Sequence, residues 1–272
     1  MNFVDCHCHL TDSRWEESLF KKISEAQDFG IDFFMQGGID LSEWQRQVEL
    51  EKEFPLQIGF CFGLHPCQIV SLDSTECNGQ LDHLARWVPQ ALALGELGLD
   101  FRSAYGGESS GIRDLQMDIF SQQLEIARWS HKPVILHIVH AHPEALGVLD
   151  LYFPWEARSM EFPREQGMIH SFNGGWELAQ EYLRRGFLIS VGAAILYSKN
   201  RKLYQTLQNL PLEKLLIESD APDQPPPKLQ GKLNNSLTVI DVAEAIGHIR
   251  GLTTKEVLTI VATNFKRLMK LK

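Results

Sequence analysis

The chain has 272 residues, 44% of them hydrophobic and 22% charged, with a formal net charge of −9. That composition excludes a disordered tail, and no stretch approaches the roughly 18 unbroken apolar residues of a membrane span. The acidic total predicts weak nonspecific affinity for nucleic acid, since backbone binding is driven by Lys and Arg, but a metal ion can hold a phosphate without a basic surface.

Nearly continuous runs of Val, Ile, Leu and Phe predict strands at 2–8, 32–37, 57–64, 93–99, 133–139, 167–172, 187–192 and 214–219. Helical patterns fall between them, among others at 14–29, 41–53, 79–90, 114–130, 175–185 and 199–208, and two more follow the last strand at 237–250 and 254–270. Thr253-Thr254-Lys255-Glu256 supplies a capping start for the final helix. Eight strands alternating with helices predict an α/β fold, a closed (β/α)8 TIM barrel, as one domain over 1–272. An open doubly wound sheet is the rival, but neither G-x-G-x-x-G nor G-x-x-x-x-G-K occurs. Loop 101–113 is expected at the active-site rim and segment 154–166 at the opposite face, and either is a candidate contact for a protein partner. The N-terminus, MNFVDCHCHL, lacks the basic and apolar regions of a signal peptide, so a cytoplasmic protein is expected.

Six metal-binding side chains sit where predicted strands end: His7, His9, Glu96, His137, His170 and Asp220. A parallel barrel gathers those strand ends into one cup. A lone His on an apolar strand is more often a packed core residue, but six such residues in register point to ligands for one or two divalent ions, with Mg, Mn and Zn all open. Alternation puts His7 and His9 on one strand face, and Cys6 and Cys8 on the other as buried thiols. With five cysteines and no Cys-x-x-Cys, reduced thiols are the simpler reading.

The segments VDCHCHL, FGLHP, GELGLDF, PVILHIV, IHSFNGG, ISVGA, IESDAPDQPP and ATNFKRL, in this order from residue 4 to about 268, resemble the TatD family of metal-dependent hydrolases. The resemblance implies an amidohydrolase-like barrel and phosphodiester hydrolysis, with DNA as substrate. It assigns His7, His9, Glu96 and Asp220 to one ion, and Glu96, His137 and His170 to the other. Asp220 and Glu96 become the catalytic carboxylates, with Asp220 orienting the attacking water and taking its proton. His65 would contact the scissile phosphate, against the alternative of a turn before Pro66, and Asn173 would touch substrate, against a turn at Asn-Gly-Gly. Glu218 is expected to support the site and not to ligate.

The chain departs from the family pattern in three places. Val139 and His140 stand where Arg and Asp are usual, Asp223-Gln224 replaces Tyr-Leu, and Gln230 replaces Arg. Two phosphate-gripping cations are therefore gone, with His140, His142, Lys228 and Lys232 as candidate substitutes. Two alternatives stay open: hydrolysis of a small amide, lactone or other ester on the same metals, and a binding subunit of a larger complex.

Overall fold

Strands that are apolar along their whole length need cover on both faces, and a ring of parallel strands wrapped by helices provides it. The computed structural model describes residues 2–153 and 165–271. Its strands are β1 (Phe3–Cys8), β2 (Ile31–Gln36), β3 (Ile58–Gly59), β4 (Cys61–Phe62) and β5 (Ala93–Asp100). They continue as β6 (Val134–Val139), β7 (Gly167–Ile169), β8 (Phe187–Val191) and β9 (Leu215–Ile217). Every pairing is parallel and runs in chain order, β1-β2-β3 and then β4 through β9.

The predicted strand at 57–64 is broken at Phe60. Ile58–Gly59 pairs back with β2, Cys61–Phe62 pairs forward with β5, and the Phe60 carbonyl accepts from Leu92 N at 3.0 Å. The two pieces form one stave, so nine short strands make an eight-stave ring. Past the end of β9 the ring closes onto the C-terminal end of β1: Asp220 N donates to His7 O at 3.0 Å, and His9 N donates to Ala221 O at 2.7 Å. The fold is a (β/α)8 barrel.

Helices sheath the ring: α1 (Leu19–Asp28), α2 (Leu41–Glu53), α3 (Pro66–Ile69), α4 (Ser74–Trp87) and α5 (Ser110–Ser130). The sheath continues with α6 (His142–Tyr152), α7 (Trp176–Arg184), α8 (Arg201–Asn209), α9 (Thr238–Arg250) and α10 (Thr254–Met269). The capping box expected at Thr253 and Glu256 is present. Helix α10 fixes β9 from outside, because Asn264 Nδ2 donates to Leu212 O at 2.7 Å and Leu215 O at 2.9 Å.

The helix expected at 14–29 begins instead as a 3-10 turn, Ser13–Ser18. There the Asp12 carboxylate accepts from Arg14 N at 2.8 Å and Trp15 Nε1 reaches back to His9 O at 2.8 Å, so local capping tightens the first turn. Helix α6 had no counterpart among the expected segments; Pro143 suits its first turn. Of segment 154–166 only Glu165 and Gln166 lie within the described residues. Among the described residues, no helix is long and apolar enough to cross a membrane.

Candidate metal centre

The register of β5 against β6 carries one surplus residue: Leu94 faces Val134, yet Leu97 already faces Leu136. Such a bulge re-aims a side chain, here Glu96, into the mouth of the barrel. Only glycine fits before it. Gly95 has φ +149, and a Cβ there would lie 2.6 Å from Ile135 O.

Glu96 is buried at the centre of the cup, and its two oxygens face different groups. Oε1 lies 2.7 Å from His137 Nδ1, 2.8 Å from His170 Nε2 and 3.2 Å from His65 Nε2. Oε2 lies 3.1 Å from His7 Nε2 and 3.5 Å from His9 Nε2. Asp220 closes the second group, with Oδ1 at 3.7 Å from His7 Nε2 and 3.4 Å from His9 Nε2. All six predicted ligands thus meet in one space, and His65 joins them. Donor atoms of His7, His170 and Asp220, of His7, His9 and Glu96, and of His65, Glu96 and His137 each lie within 4.8 Å of one another. Gly37 leaves room for two of the rings, since a Cβ would come 2.5 Å from His9 Cε1 and 2.6 Å from His7 Cε1.

The hydrogen bonds behind each imidazole decide which nitrogen faces the cup as a lone pair. His137 Nε2 lies 2.9 Å from Asp100 Oδ2, so its proton belongs there and Nδ1 is left for a ligand. Asp100 is in turn clasped by Arg102 Nε at 2.9 and 3.0 Å. His170 is the mirror case: Nδ1 faces Glu218 Oε1 at 3.2 Å and Nε2 faces the cup. Glu218 also accepts from Ser171 N and Ser190 Oγ, both at 2.5 Å, which is the supporting place expected of it. His65 differs. Its Nδ1 accepts from Cys67 N at 3.0 Å, so the neutral ring carries its proton on Nε2 and presents a donor, not a lone pair.

The charge balance agrees with that division. Burial opposes the charged form of His9, yet Asp220 and Glu96 outweigh it and raise the ring to about 10. Burial likewise opposes protonation of His170, but Glu96 and Glu218 hold it well above its ordinary value. For His65 burial wins, with Glu96 only partly compensating, and its pKa falls to about 4. Burial alone would raise Glu96 and Asp220, but the imidazoles around them leave both lowered. Without metal the cup is therefore loaded with protons that ions would displace. The Nδ1 atoms of His7 and His9 are buried with no hydrogen-bond partner among the described residues, though Glu43 Oε1 stands 4.0 Å from the second.

Asn173 lies at the rim and not in the cup, its Oδ1 accepting from Asn200 Nδ2 at 2.5 Å. Two of the four candidate substitutes are diverted: His142 Nδ1 meets Tyr182 OH at 2.7 Å, and Lys228 Nζ pairs with Asp241 at 2.6 Å. The altered Asp223-Gln224 pair is built into the site. Asp223 binds both arms of Arg14 at 2.8 and 2.7 Å. Gln224 Nε2 donates to Asp220 Oδ2 at 2.5 Å and exchanges hydrogen bonds with Ser171 Oγ.

Sequence reasoning missed Asp100, Glu43 and Gln224. Asp100 carried a usable signal, because it shares a strand face with Glu96 at period two. Glu43 carried none, since an acid in the first helical turn is an ordinary start. Cys6 and Cys8 are fully buried, as expected of structural thiols.

The TatD related DNase family model matches residues 4–270. The chain is similar to the metal-dependent hydrolase YabD of Bacillus subtilis, 26% identical, with 98% of each chain covered. It is also similar to the putative deoxyribonuclease tatdn3 of Danio rerio, 28% identical over 98% of this chain and 96% of the other. Among solved structures, the Escherichia coli TatD homologue YJJV superposes with a TM-score of 0.85 at 24% identity, covering 100% of this chain and 99% of that one. A match from end to end, over a cup of imidazoles around one carboxylate, means that the chain belongs to the TatD related DNase family of metal-dependent hydrolases.

Proposed function

We propose that the protein hydrolyses phosphodiester bonds of DNA, at ends or in short single strands, with one or two divalent ions held in the cup. The observation that carries this reading is the split of Glu96, one oxygen toward His7 and His9 and the other toward His137 and His170. The donor set suits Mg, Mn or Zn, and such ions, when bound, acidify water and neutralise developing charge. His7, His9 and Asp220 would hold one ion and His137 and His170 the other, with Glu96 shared.

The chain's own groups divide the remaining work. The neutral His65 ring keeps its Nε2 proton and donates it to a non-bridging phosphate oxygen. Asp220, held by Gln224 through Oδ2, orients the water and takes its proton as the water oxygen bonds to phosphorus and the ester P–O bond breaks. The departing ester oxygen then takes a proton from Asp220 or solvent and leaves as the alcohol. Asp100 and Glu218 keep His137 and His170 turned toward the cup. The name of the Danio rerio relative, a putative deoxyribonuclease, favours DNA over other phosphodiesters.

The test is incubation of metal-loaded protein with end-labelled single-stranded DNA beside a panel of amides and lactones. Cleavage of DNA well above an Asp220→Asn control is expected. DNA cleavage no better than that control, with turnover of a lactone or amide instead, would move the activity to small molecules.

A further inference from the structure

The overall charge of −9 hides an uneven distribution, and one basic exposed stretch adjoins the cup. From Tyr182 to Leu212 the chain has no acidic residue. Within that span, Tyr197-Ser198-Lys199-Asn200-Arg201-Lys202-Leu203-Tyr204 covers the turn before α8 and its first turn. Lys199, Arg201 and Lys202 are exposed and have no ion-pair partner among the described residues. Helix stability does not account for them, because cations at a helix N-terminus oppose the macrodipole. Tyr197 and Tyr204 are 43% and 45% exposed, so both rings are partly open to a ligand.

Two clefts lie along this stretch. The nearer, about 330 Å³, is lined by Asn173, Tyr197, Asn200 and Gln224. The farther, about 370 Å³, is lined by Tyr197, Arg201, Tyr204 and Gln208 among others. They share Tyr197 and Asn200, so they adjoin in a line whose inner end is Gln224, and the Gln224 amide touches Asp220. Aromatic faces interleaved with cations are what an unpaired strand needs: bases stack while phosphates meet Lys and Arg. A duplex offers no free base faces to such a path.

We propose that the path from Gln224 past Tyr197 to Tyr204 binds single-stranded nucleic acid and leads it to the metal cup. This rests on the phosphodiesterase reading for what happens at the inner end, but strand binding is measured separately. The assay is fluorescence anisotropy of labelled oligodeoxythymidylate with protein in chelator, where nothing is cut, over a range of salt. The double variant Arg201→Glu/Lys202→Glu should bind at least tenfold more weakly than wild type. Its log-affinity against log-salt slope should flatten by about 1.4, two phosphate contacts at roughly 0.7 each. Tyr204→Ala should weaken binding roughly five- to tenfold with the slope unchanged, since a lost stack releases no counterions. A charge-matched control, Arg86→Glu/Lys255→Glu, should stay near wild type.

Three results would overturn the proposal: no measurable binding by wild type, equal losses in the charge-matched control, or a blunt duplex bound as tightly as the single strand. Tight single-strand binding without cleavage on adding metal would leave the path standing and remove the hydrolytic reading. Cleavage with unaltered affinity in the Arg201→Glu/Lys202→Glu variant would do the reverse.

Discussion

Replacing Glu218 by alanine removes the one group that serves His170, Ser171 and Ser190 together. Glu218 is fully buried and takes His170 Nδ1 at 3.2 Å, with Ser171 N and Ser190 Oγ at 2.5 Å. Each buried donor left without an acceptor costs about 1–3 kcal/mol. Ser171 is only half-buried, so the sum should fall at about 2–4 kcal/mol, a drop of roughly 5–10 °C in the melting temperature of metal-free protein. His170 also loses the acceptor that turns its Nε2 toward the cup, and a lost orienting partner costs about 10–100-fold in metal affinity. Glutamine separates the two effects. Its oxygen can keep Ser171 N and His170, while the Ser190 hydroxyl turns to accept from the new amide. Glu218→Gln should therefore melt within a few degrees of wild type and lose about tenfold or less in affinity. Thermal unfolding in chelator and calorimetric Mn or Zn titration read both quantities. If Glu218→Ala binds metal within threefold of wild type, or if Glu218→Gln loses as much as Glu218→Ala, the idea that Glu218 acts by orienting His170 is refuted.

Metal uptake should expel protons, because His9 at about 10 and His170 well above its ordinary value are cationic at pH 7, and an imidazolium cannot ligate. Affinity then rises with pH between about 6 and 9, and titration in buffers of different ionisation enthalpy should show net proton release; zero release contradicts it. Gln224→Met removes the donor on Asp220 Oδ2 while keeping the volume. It should lower kcat on DNA by roughly tenfold with metal content unchanged, and an unaltered kcat would dismiss Gln224 as a positioning residue. Gly37→Ala drives a Cβ into the rings of His7 and His9, so elemental analysis should find metal lost, with destabilisation of about 1–3 kcal/mol. Full metal content in that variant would show that the rings can yield.

The barrel and the identities of its gathered residues were legible in the chain itself. Apolar runs of strand length separated by helical periodicity leave few ways to bury both faces, and a parallel ring brings every strand end to one rim. His7, His9, Glu96, His137, His170 and Asp220 all stood at such ends. Spacing along the chain could not say which atom of each would face inward. That depended on contacts between residues far apart: Asp100 behind His137, Glu218 behind His170, and the Cys67 amide that turns His65 into a donor. Nor could it reveal that Gln224 rests on Asp220, or that Tyr197 and Arg201 share a path leading to it. Periodicity is a local property that survives in one dimension. The tautomer of a ring and the continuity of a cleft are set by neighbours that only the closed barrel brings within hydrogen-bonding distance.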